Sequence, residues 1–119
     1  MSRQRQTIEL RVPRQQAMSA CREALDQLGW EITEEGERRL VGGEEPQPTS
    51  CRALTWPARV KIEVDSESPK LTTVTIHAAM SGFGRNTADR LQRRMGALER
   101  AIRGAAAGHR ERARIAAAR

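Results

Sequence analysis

The stretch from residue 54 to residue 80 carries the pattern that most restricts the fold. Leu54, Trp56, Ala58, Val60, Ile62 and Val64 share one parity; after the turn sequence SESPK at 66 to 70, Val74, Ile76, Ala78 and Met80 share one again. Alternation of this kind puts apolar side chains on one face of a strand and polar ones on the other. Two such strands joined by a short turn pair antiparallel, and a sheet that is apolar on one face needs other elements to cover that face. Pro57 removes a ladder donor near the start of the first strand, which predicts an edge position or a bulge there.

The covering elements are legible on either side. Residues 7 to 12, TIELRV, alternate as a strand with Ile8, Leu10 and Val12 on one face. Pro13 then suits a helix start, and Met18, Cys21, Leu25 and Leu28 recur at helical spacing up to Gly29, a residue fit to end the helix in a left-handed conformation. Trp30 and Ile32 open a second strand, and EEGE at 34 to 37 turns it back into RRLVGG. A three-residue loop there puts Leu40 on the face of Trp30 and Ile32. Residues 42 to 50, GGEEPQPTS, have loop composition. After residue 84, Ala88, Leu91, Met95, Leu98 and Ile102 form the stripe of a long helix, which Gly104 and Gly108 weaken toward its end.

The order is β-α-β-β-β-β-α. It predicts an α+β fold with one antiparallel sheet, an N-terminal helix and a long C-terminal helix packed on one face. Residues 1–104 form the single domain, and residues 105–119 form a basic Ala/Arg-rich extension expected to be flexible or a frayed helix. In element order alone, residues 7 to about 104 resemble the TATA-binding-protein-like fold, in which a curved sheet wraps a long C-terminal helix. That resemblance implies an architecture and no activity.

A chain of 119 residues buries enough surface for one core without staples. Only 3% of its residues are aromatic, so the core is built from aliphatic, Ala and Met side chains. The N-terminus MSRQRQTIEL lacks the apolar run of a signal peptide, and no segment is apolar enough to span a bilayer; a cytoplasmic location is expected. Cys21 and Cys51 have neither metal-site nor CxxC spacing and are expected to be reduced structural thiols.

One stretch looks like chemistry. SGFGRNTADR, at 81 to 90, offers Gly82 and Gly84 before a helix. A dinucleotide fingerprint fails because Thr87 stands where the third glycine belongs and no parallel strand follows; a Walker A loop fails for want of GK[ST]. The stretch reads instead as a turn into a helix capped by Asn86, with Asp89 three residues on favouring the positive helix end. Gly84, Arg85 and Asn86 remain an anion-binding candidate. No cofactor and no metal site is expected: the acidic run Glu34, Glu35, Glu37, Glu44 and Glu45 lacks the spacing of a calcium loop. His77, on the outer face of the last strand, His109 and the two cysteines show no catalytic partner, so no catalytic residue is named.

The charge is unevenly placed. The net charge of +6 comes from the last helix and tail, where Arg90, Arg93, Arg94, Arg100, Arg103, Arg110, Arg112 and Arg114 lie off the apolar stripe. This is a nucleic-acid-binding candidate able to neutralise phosphates without reading sequence. Against a dedicated reader stand the mixed charge expected on the outer sheet face (Glu9, Glu31 and Glu63 among Arg11, Arg59 and Lys61) and the lack of aromatic stacking groups. Membrane insertion is not expected either, since the tail offers Ala and one Ile. The leading expectation is a non-enzymatic interaction or ligand-binding module. It uses either the free sheet face or a cleft between sheet and long helix, with self-association or a protein partner in view.

Overall fold

A computed structural model describes residues 2–44, 57–81 and 84–118. Strand β1 (Ser2–Leu10) leads into helix α1 (Arg14–Gln27), followed by β2 (Glu31–Glu35), β3 (Arg39–Gly43), β4 (Ala58–Ser68), β5 (Leu71–Met80) and helix α2 (Arg85–Ala117). The five strands form one sheet in the order β1-β5-β4-β3-β2, antiparallel throughout. The fold is α+β, with both helices on one face of that sheet, as the alternation requires.

Inward-facing residues follow the expected parities. Ile8 and Leu10 from β1, Val60, Ile62 and Val64 from β4, and Val74, Ile76 and Met80 from β5 are buried. Against them pack Met18, Cys21 and Leu25 of α1 and Leu91, Met95, Leu98 and Ile102 of α2. The turn at 36 to 38 has three residues, closed by Gly36 N–H donating to the Arg39 carbonyl at 2.7 Å, and Leu40, like Trp30, is buried in the core. Helix α1 ends at Gly29, whose φ of +73° lets Gly29 N–H reach Asp26 O and Trp30 N–H reach Leu25 O.

Several boundaries differ from the sequence reading, each for a local reason. β1 begins at Ser2 rather than at Thr7, because β5 is ten residues long and β1 pairs along it from Ser2↔Met80 to Leu10↔Thr72. Gly42 and Gly43 belong to β3, not to a loop. The backbones of β2 and β4 come so close that a Cβ on Gly42 would meet Glu31 O at 2.6 Å and one on Gly43 would meet Ala58 O at 2.8 Å. Pro57 marks neither an edge nor a bulge: it stands just before β4, which is flanked by β3 and β5, so no ladder bond is lost to it. The turn after β4 is Pro69–Lys70, preceded by an irregularity between Ser66 and Ser68.

The start of α2 corrects another expectation. The N-cap is Gly84, at φ +101°, with no side-chain cap bond; Asn86 lies inside the first turn and Asp89 in the second. A glycine that turns the chain at the helix start leaves Asn86 already helical, so it cannot adopt the extended backbone of an N-cap. Gly82, Phe83, Glu45, Cys51, Leu54 and Trp56 lie outside the described residues. Within those described, no helix is long and apolar enough to cross a membrane.

Candidate functional site

Helix α2 is longer than the sheet it covers. Its 33 residues, at 1.5 Å each, reach roughly 50 Å, whereas a ten-residue strand spans roughly 34 Å. The molecule is accordingly elongated, 56 × 25 × 23 Å. The last turns of α2 run out beyond the end of β1, continuous through Gly104 and Gly108 to Ala117.

A groove of about 540 Å³ lies where the helix leaves the sheet. Leu10 and Val12, at the end of β1 and just after it, form its floor with Ala106 and Ala107 of α2. Arg103, Arg110 and Arg114 rim it from the helix and Arg11 from the opposite side, with Glu9 and Glu111 as the acidic members. The alanines matter here: a larger side chain at 106 or 107 would fill the space between helix and chain. Two contacts fix the walls. The buried Thr72 hydroxyl donates to Val12 O at 2.7 Å, and His109 Nε2 lies 2.9 Å from Glu23 Oε1, tying α2 to α1.

The rim charges are unequally matched. Arg103 pairs with Glu99 at 3.3 Å and Arg114 with Glu111 at 3.8 Å. Arg11 and Arg110 have no ion-pair partner among the described residues. An anion entering the groove thus meets two guanidinium groups without ion pairs, each offering several donors in a planar fork, and one carboxylate, Glu9, likewise without an ion pair among the described residues, above an apolar floor.

Of the other arginines of the expected basic surface, Arg90, Arg93 and Arg94 line a small hollow of about 270 Å³ with Ala97. At 3.6 residues per turn, Arg93 and Arg100 lie opposite the buried stripe, while Arg90 and Arg94 occupy one flank and Arg103 and Arg110 the other. Arg90 and Arg94 turn toward the sheet, where Glu44 holds them at 3.1 and 3.6 Å. Arg112 is exposed on the projecting end. Gly84, Arg85 and Asn86 are exposed at the opposite end of α2 from the groove. The acidic run disperses into ion pairs: Glu34 with Arg39, Glu35 with Arg22, Glu37 with Arg14, and Glu44 with the two α2 arginines. His77 faces outward on β5, 3.9 Å from Glu63.

Of the groove, sequence reasoning singled out Arg103, Arg110 and Arg114 but not Arg11, Leu10, Val12 or the alanines as lining. The available signal was the Ala105–Ala107 run between arginines: small residues in a helix allow another chain segment to approach.

No family model matches the chain, and no curated protein matches it in sequence. Its fold does match solved structures. A protein of Nitrosospira multiformis superposes with a TM-score of 0.64 at 9% identity, over 87% of this chain and 94% of that one. A START superfamily protein from Mycobacterium smegmatis gives 0.57 at 12% identity, over 86% and 94%. The di-domain ARO/CYC BexL also gives 0.57 at 12% identity; the match covers 89% of this chain but 45% of BexL, so the chain spans less than half of that protein. The chain shares with them an α+β helix-grip fold, a more specific architecture than element order alone implied.

Proposed function

We propose that this chain is a small ligand-binding module whose ligand is an amphipathic anion, seated in the groove between the end of β1 and the C-terminal half of α2. One observation carries the reading: Arg11 and Arg110, without ion-pair partners among the described residues, line one groove together with Leu10, Val12, Ala106 and Ala107. The floor rewards apolar surface and the rim rewards a carboxylate, sulfonate or phosphate, so a ligand with both gains from both. The volume of about 540 Å³ falls within the range of small-molecule sites. The fold supports the same direction, since helix-grip architecture also serves a START superfamily protein and an ARO/CYC of a biosynthetic pathway.

The test is an NMR titration with dodecanoate below its micellar concentration, beside dodecanol and acetate. Dodecanoate is expected to shift the amide signals of Leu10, Val12, Ala106 and Ala107, with dodecanol and acetate each weaker. Arg110→Glu, an exposed position, should weaken dodecanoate about tenfold or more, the loss of a charge-assisted contact. Ala107→Trp should block the groove. Equal binding of dodecanol and dodecanoate, or shifts located elsewhere, would reject the reading.

A further inference from the structure

The outer face of the sheet, on the opposite side from the groove's helix, has its charges sorted along the strands. The register lines up Gln6 of β1, Ile76 of β5 and Ile62 of β4 in one row. On one side of that row, outward-facing positions hold Arg3, Arg5, Arg59 and Lys61, with His77 and Ala79 between them on β5. These residues line a shallow hollow of about 530 Å³. On the other side, the same strands present Glu9, Glu63 and Asp65, with Thr73 and Thr75 between them. Over β1, β5 and β4 the face is divided into a basic half and an acidic half, whereas β3 and β2 carry the reverse order, with Arg39 level with Glu63 and Glu34 level with Lys61.

The division is antisymmetric. Counting outward from the central row, Arg3 and Glu9 are equidistant on β1, and Arg59 and Asp65, then Lys61 and Glu63, are equidistant on β4. Arg3 and Arg59 flank Ala79, and Arg5 and Lys61 flank His77, so like charges stand one strand apart across β5, and Arg3, Arg5 and Arg59 have no ion-pair partner among the described residues. Lys61, 3.2 Å from Glu63, holds that carboxyl below the usual carboxylate range.

We infer that this face pairs with the same face of a second copy of the chain, about a two-fold axis lying across the strands at the level of Ile62 and Ile76. Such an axis reverses strand direction and keeps β4 over β4 and β1 over β1. It brings Arg59 over the partner's Asp65, Lys61 over the partner's Glu63, and Arg3 over the partner's Glu9. Two-fold pairing of one self-complementary patch is the commonest symmetry of soluble oligomers. A long polyanion fits less well: laid along β4 it passes from Arg59 and Lys61 onto Glu63 and Asp65, and laid across the strands it passes from Lys61 to the level of Glu34. Five strands and four outward rows give roughly 650 Å² per partner, below the usual 800 Å² of a stable complex, so the association is salt-sensitive and readily reversible.

Sedimentation velocity at about 20 mM and about 500 mM salt tests this, with two charge-reversed variants. Wild type is expected to dimerise at low salt and dissociate at high salt. Arg59→Glu/Lys61→Glu makes β4 acidic in both halves, and Glu63→Lys/Asp65→Lys makes it basic in both. Each variant alone should be monomeric at low salt, and mixing the two should yield a heterodimer tighter than the wild-type dimer. Wild type remaining monomeric at low salt overturns the inference, also where it then captures an oligonucleotide. So does a dimer that neither variant weakens. Should a variant fail to fold, the salt dependence of wild type still decides.

Discussion

The Thr72 hydroxyl donates a 2.7 Å hydrogen bond to the carbonyl of Val12, sixty residues earlier in the chain, and both residues are buried. It ties β5 to the segment between β1 and α1, the segment that supplies the groove with Arg11 and Val12. Thr72→Val keeps the shape but strands a buried carbonyl, a cost of about 1–3 kcal/mol. Chemical denaturation should show that loss, and Thr72→Ser should restore most of it. Because Val12 is a floor residue, Thr72→Val should also weaken dodecanoate in the NMR titration without touching the arginines.

This bond illustrates what the sequence conceals. A threonine of inward parity at 72 marks a strand, but its partner is fixed only when β1 docks beside β5, a pairing between distant segments. The core was legible because burial follows local periodicity: the helix stripes from Met18 to Leu25 and from Leu91 to Ile102, and the strand parities from Val60 to Met80, all face inward. The first half of β1 was not, since Ser2 to Gln6 are polar and join the sheet only through the ladder with β5. The same polar residues bring Arg3 and Arg5 to the basic half of the outer face. Its charge sorting depends on register, which alternation alone leaves open.

Glu44 is the clamp at the other end of α2. Its carboxylate meets Arg90 at 3.1 Å and Arg94 at 3.6 Å, and accepts Ala58 N–H at 3.1 Å, while Glu44 N–H donates to Ala58 O. The Glu44 side chain is 14% exposed, so the pair sits away from full solvent screening. Glu44→Gln retains one acceptor and leaves two arginines side by side on the helix. A loss of about 1–3 kcal/mol is expected, seen as a lower unfolding midpoint. In the background of Arg90→Met the same substitution should cost less, and full additivity in that double-mutant cycle would refute the clamp.

Gly42 is set by close approach. A methyl group there would lie 2.6 Å from Glu31 O, a backbone atom that cannot swing away as a side chain can. Gly42→Ala must push β2 from β3 at the pairing of Ile32 with Gly42, next to the irregularity between Ile32 and Glu34. About 1–3 kcal/mol of destabilisation is expected. Hydrogen exchange should quicken at Glu31 and Ile32 and stay unchanged in β1 and β5, where the ladder is independent of β2. A uniform change along all five strands would instead indicate a global effect.

Cys21 gives the pH dependence. Its thiol is completely buried on the inner face of α1, and burial pushes it up to about 12 from an ordinary 9.0, with Arg22 offsetting only part of the effect. In the unfolded chain the thiol ionises near its ordinary value. Between roughly pH 9 and 12 the folded state therefore holds a proton that the unfolded state has released, and stability falls as pH rises. The contribution is complete below pH 9. Urea unfolding in a Cys51→Ser background should show a lower midpoint at pH 10.5 than at pH 8. Cys21→Ala should remove most of that difference while lowering stability at both pH values through the lost sulfur. Alkylation of Cys21 should likewise be slow in the folded protein at pH 8 and fast in urea; rapid native labelling would show that the α1 face is not closed.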